Sequence, residues 1–171
     1  MKKLSIRHLR VVKISKRAKP NTNRLIEEMR AEVKKDPIII KKFKEYGVPL
    51  DDIDKVYIEF ADLDVSAKTK DRKIYLNQVM LEDDSPTQEP THYLVHELIH
   101  YLQQTTGKNL DHSDAEDYLD KDSEQEAFKA QVDYKKREES PEEAVGYVER
   151  LLDHHDIEGK ERKEKKKDLL E

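Results

Sequence analysis

Residues 91–107 read THYLVHELIHYLQQTTG, and within them His96-Glu97-Leu98-Ile99-His100 spells H-E-x-x-H. Pro90 just before this stretch, Thr91 at its start and Gly107 at its end are residues with which helices open and close. On a helix, residues four apart stand one turn apart on one face, so the His96 and His100 imidazoles can reach a single metal ion. Glu97 lies about 100° round the axis from His96, close enough to address a water bound to that ion. Val95, Leu98, Ile99 and Leu102 cover the other side and require a deeply packed helix. The stretch therefore constrains fold and chemistry together, because a metal site needs ligands that do not move.

Composition narrows what can surround it. A chain of 171 residues is one domain, with or without appendages, and long enough for a core. Charged residues reach 42% against 35% hydrophobic ones, so that core is expected to be compact beneath a densely ionic surface. A net charge of −5, with Lys and Glu interspersed, gives no argument for nucleic acid. Cysteine is absent, which excludes disulfides and thiolate metal sites and leaves His and carboxylates as ligands. In MKKLSIRHLRVVKIS charges interrupt every apolar run, and no stretch is long enough to span a membrane. The expectation is a cytoplasmic protein with no membrane partner.

Leu4 to Ile14 reads as a strand. Asn21-Thr22-Asn23 offers N-cap chemistry to a helix carrying Leu25, Ile26, Met29 and Val33, and Asp36-Pro37 starts a second one that stops at Gly47. Val56 to Phe60, the alternation of Leu63, Val65 and Ala67, and Ile74-Tyr75-Leu76 predict strands over 55–67 and 73–77, joined by a polar turn over 69–73. These form a β-meander or hairpin directly before the metal helix, where an exposed strand can pair with an extended peptide. His92 continues the stripe of His96 and His100, but residues eight apart are about 12 Å apart along the axis. It is therefore expected beside the site rather than on the metal.

After Gly107 an acidic, irregular stretch is predicted, with a short helix near 114–119. A helix capped at Asp122 or Ser123 follows, with Ala127, Phe128, Gln131 and Tyr134 at helical spacing. Ser140-Pro141 starts another, with Val145, Val148, Leu151 and Leu152 inward. The fold class expected is α+β, a small antiparallel or mixed sheet packed on helices. It comprises one domain over 1–157, its core at about 55–135, and a frayed or disordered tail over 158–171.

Two histidines leave a catalytic zinc one protein ligand short, since such sites combine three with an open position. Metzincins take a third His from H-E-x-x-H-x-x-G-x-x-H, but Gln103 and Thr106 stand where its glycine and histidine would be. The other common solution is a Glu from a downstream helix. At Glu124-Gln125-Glu126-Ala127 the sequence resembles the gluzincin group of zinc metallopeptidases, whose H-E-x-x-H is followed by a helix bearing E-x-x-A.

That resemblance implies a zinc ion held by His96, His100 and Glu124, with Glu126 next in line and Glu116 and nearby aspartates behind it. The small minigluzincins are the most similar, over about residues 55–135, and they imply a zincin-like fold. The implied activity is hydrolysis of a peptide or protein substrate, with Glu97 as the catalytic base. An additional transition-state donor stays open among Tyr101, Tyr118, Tyr134, Tyr147, His154 and His155. The alternative is a catalytically silent or latent metal-stabilised interaction module.

Overall fold

The structure is a computed structural model, and it describes residues 22–82, 90–110 and 118–171. The expected strand at 4–14, Glu116 and most of the acidic stretch after Gly107 lie outside these residues. Helix α1 (Thr22–Lys35) buries Ile26, Met29 and Val33 on one stripe. Helix α2 (Pro37–Tyr46) starts where Asp36 accepts hydrogen bonds from the Ile38 and Ile39 amides, and Pro37 fits the first turn because it has no N–H to satisfy. It ends at Gly47, whose φ of 72° is the left-handed conformation a C′ residue needs. The same Asp36 carboxylate pairs with Arg137 at 2.6 Å, so one residue caps a helix and ties it to a distant one.

The sheet has three strands, β1 (Ile58–Ala61), β2 (Ala67–Lys70) and β3 (Lys73–Asn77), in the order β1-β3-β2. β3 runs parallel to β1 and antiparallel to β2. The mixed sheet agrees with the expected class, but its order is that of a hairpin with a crossover and not of a meander. Of the expected strand over 55–67 only Ile58–Ala61 and Ala67 are strand, and β2 continues to Lys70, into the turn expected over 69–73. The Asn77 side-chain amide donates to the carbonyls of Leu63 and Val65, at 2.7 and 3.0 Å, and holds that alternating segment as a loop. Between β2 and β3 only Asp71 and Arg72 turn the chain, both at positive φ (51° and 63°), as a tight two-residue hairpin requires.

Helix α3 (Thr91–Thr106) carries the H-E-x-x-H residues, and its Leu94, Val95, Leu98, Ile99 and Leu102 are completely buried. Around it α1, α2, the inner sheet face and one face of α4 (Asp122–Glu138) form the main core. The close approach of α4 follows from Ala127 and Ala130, which face α3 with no bulk between the backbones. Phe128 and Val132 on the other face of α4 enter a second core with α5 (Pro141–His154).

Helix α5 is capped by Ser140 Oγ, which accepts from the Glu143 amide at 3.0 Å. Its inward stripe is Ala144, Val148, Leu151 and Leu152; Val145, expected inward, is exposed because it lies one position off that stripe. The last segment differs most from expectation. Residues Gly159–Leu170 form a helix, α6, that buries Leu169 in the second core. Few apolar residues mark it because ion pairs hold it: Arg162 with Asp153 and Glu149, Lys166 with Glu149, and Lys165 with Asp120.

Candidate metal centre

His96 and His100 project from one face of α3, and Glu124 meets them from the first turn of α4. One ligand atom from each of the three lies within 4.8 Å of the others. Glu124 Oε1 stands 2.9 Å from His100 Nε2, Glu124 Oε2 stands 3.2 Å from His96 Nε2, and the two Nε2 atoms are 3.2 Å apart. The edge of the Phe128 ring packs on His96, with centroids 4.5 Å apart. The three side chains are 7, 14 and 11% exposed, so the cluster is nearly closed to solvent.

Two glutamines fix which ring nitrogens carry protons. The Gln103 amide donates to the Ser123 carbonyl at 3.1 Å and to Glu126 at 2.9 Å, which turns its oxygen toward His100 Nδ1 at 2.8 Å. Gln131 donates to His92 Nδ1 at 2.8 Å, and its oxygen accepts from His96 Nδ1 at 3.0 Å and from the Tyr147 hydroxyl at 3.1 Å. Burial, the largest influence on His92, holds its pKa well below normal, as suits a ring nitrogen that accepts.

When neutral, both site histidines thus carry the proton on Nδ1, and their Nε2 atoms converge on the Glu124 carboxylate. Glu124 Oε2 is buried and accepts no hydrogen bond among the described residues. Three acceptors aimed at one another are satisfied by a cation, and two imidazoles with a carboxylate are a donor set suited to zinc and similar ions. A proton on His100 Nε2 relieves the same crowding. Burial opposes charge on His100, yet the Glu124 carboxylate outweighs it and raises the ring to about 9. Burial likewise opposes charge on Glu124, and the two rings hold its carboxyl far below the usual range.

Glu97 lies on the same helix, 5% exposed, and its Oε2 accepts from the Thr69 hydroxyl at 2.7 Å. Glu126 points away from the cluster. It pairs with Lys42 at 2.8 Å and accepts from Tyr46, Gln103 and Asn109, joining α2, α3 and α4. His92 sits beside the site behind Gln131. Among the residues considered as an extra donor, the Tyr147 hydroxyl is committed to Gln131 and that of Tyr134 to Glu32.

Sequence reasoning missed Gln103, Gln131 and Thr69. Gln103 follows His100 by three residues on one helix and Gln131 follows Glu124 by seven on another, so helical spacing carried a signal for both. Nothing in the sequence marked Thr69.

The chain matches the family model Peptidase_M91, described as effector protein, over residues 15–168. No curated protein and no solved structure matches it. The match extends the family region through most of α6, well beyond the 55–135 core expected from the motifs, and no minigluzincin is among the relatives found. A metallopeptidase family, a cluster able to hold a metal ion and a small α+β fold agree with one another, and the chain belongs to the Peptidase_M91 family of effector proteins.

Proposed function

We propose that the protein is a zinc-dependent peptidase that hydrolyses peptide bonds in protein substrates, with His96, His100 and Glu124 as zinc ligands and Glu97 as the proton carrier. The observation that carries this reading is the convergence of three acceptors with both histidine Nδ1 protons already committed to glutamines. A zinc ion at this cluster would supply Lewis acidity to the scissile carbonyl and an acidified water for attack.

The chain's own residues would do the rest. Glu97 takes a proton from the attacking water and passes it to the departing amine, so that water is added across the C–N bond. Thr69 steadies the carboxylate that makes this transfer. Gln103 and Gln131 keep both imidazoles in the tautomer that leaves Nε2 free. β2 is an outer strand of the sheet and is tied to Glu97 through Thr69, so an extended peptide laid along it would lie next to the proton carrier.

The low exposure of the three ligands favours a second reading, in which the same site is latent and must open before a substrate enters. One comparison separates the two. Metal content and hydrolysis of an unfolded protein substrate are measured for wild type and Glu97→Gln, with zinc and with chelator. The active reading requires chelator-sensitive hydrolysis that falls at least a hundredfold in Glu97→Gln while zinc content is unchanged. Zinc bound at one equivalent with no hydrolysis by wild type supports latency, and hydrolysis retained by Glu97→Gln removes Glu97 from its role.

A further inference from the structure

We propose that the outward face of the β2–β3 hairpin recognises acidic side chains at alternate positions of a polypeptide substrate laid along β2. This rests on the peptidase reading above and adds a substrate class to it. Within residues 68–73 the hairpin carries Lys68, Lys70, Arg72 and Lys73 against a single acid, Asp71, in a chain whose net charge is −5. All four cations are exposed, and none is ion-paired with a described residue. Some lysines elsewhere, such as Lys34, Lys42, Lys165 and Lys166, sit against carboxylates; these four do not, and they stand together within six residues.

Two of these charges rest on aromatic rings in or beside the sheet. Lys68 stands opposite Tyr75 in the sheet with its Nζ 6.0 Å from that ring, and Lys73 Nζ lies 5.6 Å from the ring of Tyr57. Such contacts restrain an ammonium without neutralising it. The Gln104 side chain adds a clamp, donating to the Thr69 carbonyl at 3.1 Å and accepting from the Arg72 amide at 2.8 Å.

The strand's alternation links this face to the site. Thr69 turns inward to Glu97, while its neighbours Lys68 and Lys70 turn outward. A peptide paired with β2 therefore meets Glu97 from one side and the two lysines from the other. In a paired strand, side chains opposite one another are about 5 Å apart and every second one shares a face, so residues i and i+2 of the peptide would face Lys68 and Lys70. Carboxylates there complement the charge; lysines there are repelled.

The experiment uses the full chain loaded with zinc and three quenched peptides identical except for Glu, Gln or Lys at two alternate positions. The Glu peptide is expected to be cleaved about five- to tenfold faster than the Gln peptide at low salt, the advantage shrinking in molar salt. Lys68→Glu/Lys70→Glu should reverse the order, so that within that variant the Lys peptide is cleaved faster than the Gln peptide and the Glu peptide slower. Equal rates for the three peptides, or a preference untouched by the double reversal, overturn the proposal.

A binding arm keeps it testable if no peptide is cleaved. Affinity of the labelled Glu and Lys peptides for Glu97→Gln is then measured, with and without the double reversal. Charge-dependent binding lost on reversal supports the surface even where the peptidase reading fails. Tighter binding of a single-stranded oligonucleotide than of the Glu peptide at this face overturns the assignment to a polypeptide.

Discussion

Thr69 Oγ lies 2.7 Å from Glu97 Oε2, so the outer strand of the sheet holds the carboxylate assigned to proton transfer. A neutral donor on a carboxylate contributes about 1.5–3 kcal/mol, and part of it serves to orient the side chain. Thr69→Val should lower kcat about tenfold with zinc content unchanged, and Thr69→Ser should recover most of the loss. Steady-state kinetics beside metal analysis checks this; a Val variant with wild-type kcat would show that the contact is only structural.

Gln131 bridges His92 and His96, and its loss would leave both rings without a fixed orientation. Gln131→Leu should weaken zinc binding 10- to 100-fold, the usual effect of removing the partner of a metal-bound histidine. Gln103→Leu should do the same through His100. Competition against a chromophoric chelator measures both, and an unchanged affinity would remove the glutamines from the site.

The two glutamates of the Glu124-Gln125-Glu126 stretch should separate cleanly. Glu124→Ala is expected to lose the metal, because a buried carboxylate between two imidazoles is removed. Glu126→Ala is expected to keep it and to lose stability instead, since its partners are Lys42, Tyr46, Gln103 and Asn109. Zinc stoichiometry and thermal unfolding of the two variants decide the assignment.

Glu126 also sets a pH dependence. Burial opposes its charge, but Lys42, Tyr46, Gln103 and Asn109 outweigh burial and lower the carboxyl to about 2 from 4.5. A lowered folded pKa stabilises above the unfolded value, so the contribution is complete above pH 4.5 and is lost as pH falls toward 2. Solvent screening reduces it to about 1–2 kcal/mol. The gap in Tm between wild type and Glu126→Gln should be widest at neutral pH and close between pH 4.5 and 2. A gap independent of pH would contradict the linkage.

Leu169 joins α6 to the second core beside Val148, Leu151 and Leu152. Leu169→Ala should cost about 2 kcal/mol, near the lower end for a buried leucine at a core margin, or roughly 4–8 °C in Tm. Thermal unfolding in low and high salt tests this together with the ion pairs, since screening the contacts of Arg162, Lys165 and Lys166 should add to the loss.

Several parts of this protein follow from local chemistry. Asp36-Pro37 and Gly47 bound α2 because an aspartate caps, proline fits a first turn and glycine accepts positive φ. The H-E-x-x-H spacing puts two imidazoles on one face of α3 because the helix repeats every 3.6 residues, whatever surrounds it. Helix α6 was illegible for the complementary reason: its anchor is one buried leucine plus ion pairs to residues of α5 and to Asp120, and such partners leave no periodic trace.

The sheet order and the third member of the cluster belong to tertiary structure. Asn77 reaches back to Leu63 and Val65 and turns a strand-like pattern into a loop, a contact that no window of local sequence contains. The H-E-x-x-H of residues 96–100 fixes where two acceptors stand. Which of Glu124 and Glu126 faces them depends on how α4 rotates as Ala127 and Ala130 settle against α3. Two residues apart on a helix means about 200° of rotation, so packing alone sends one carboxylate to the histidines and the other to Lys42.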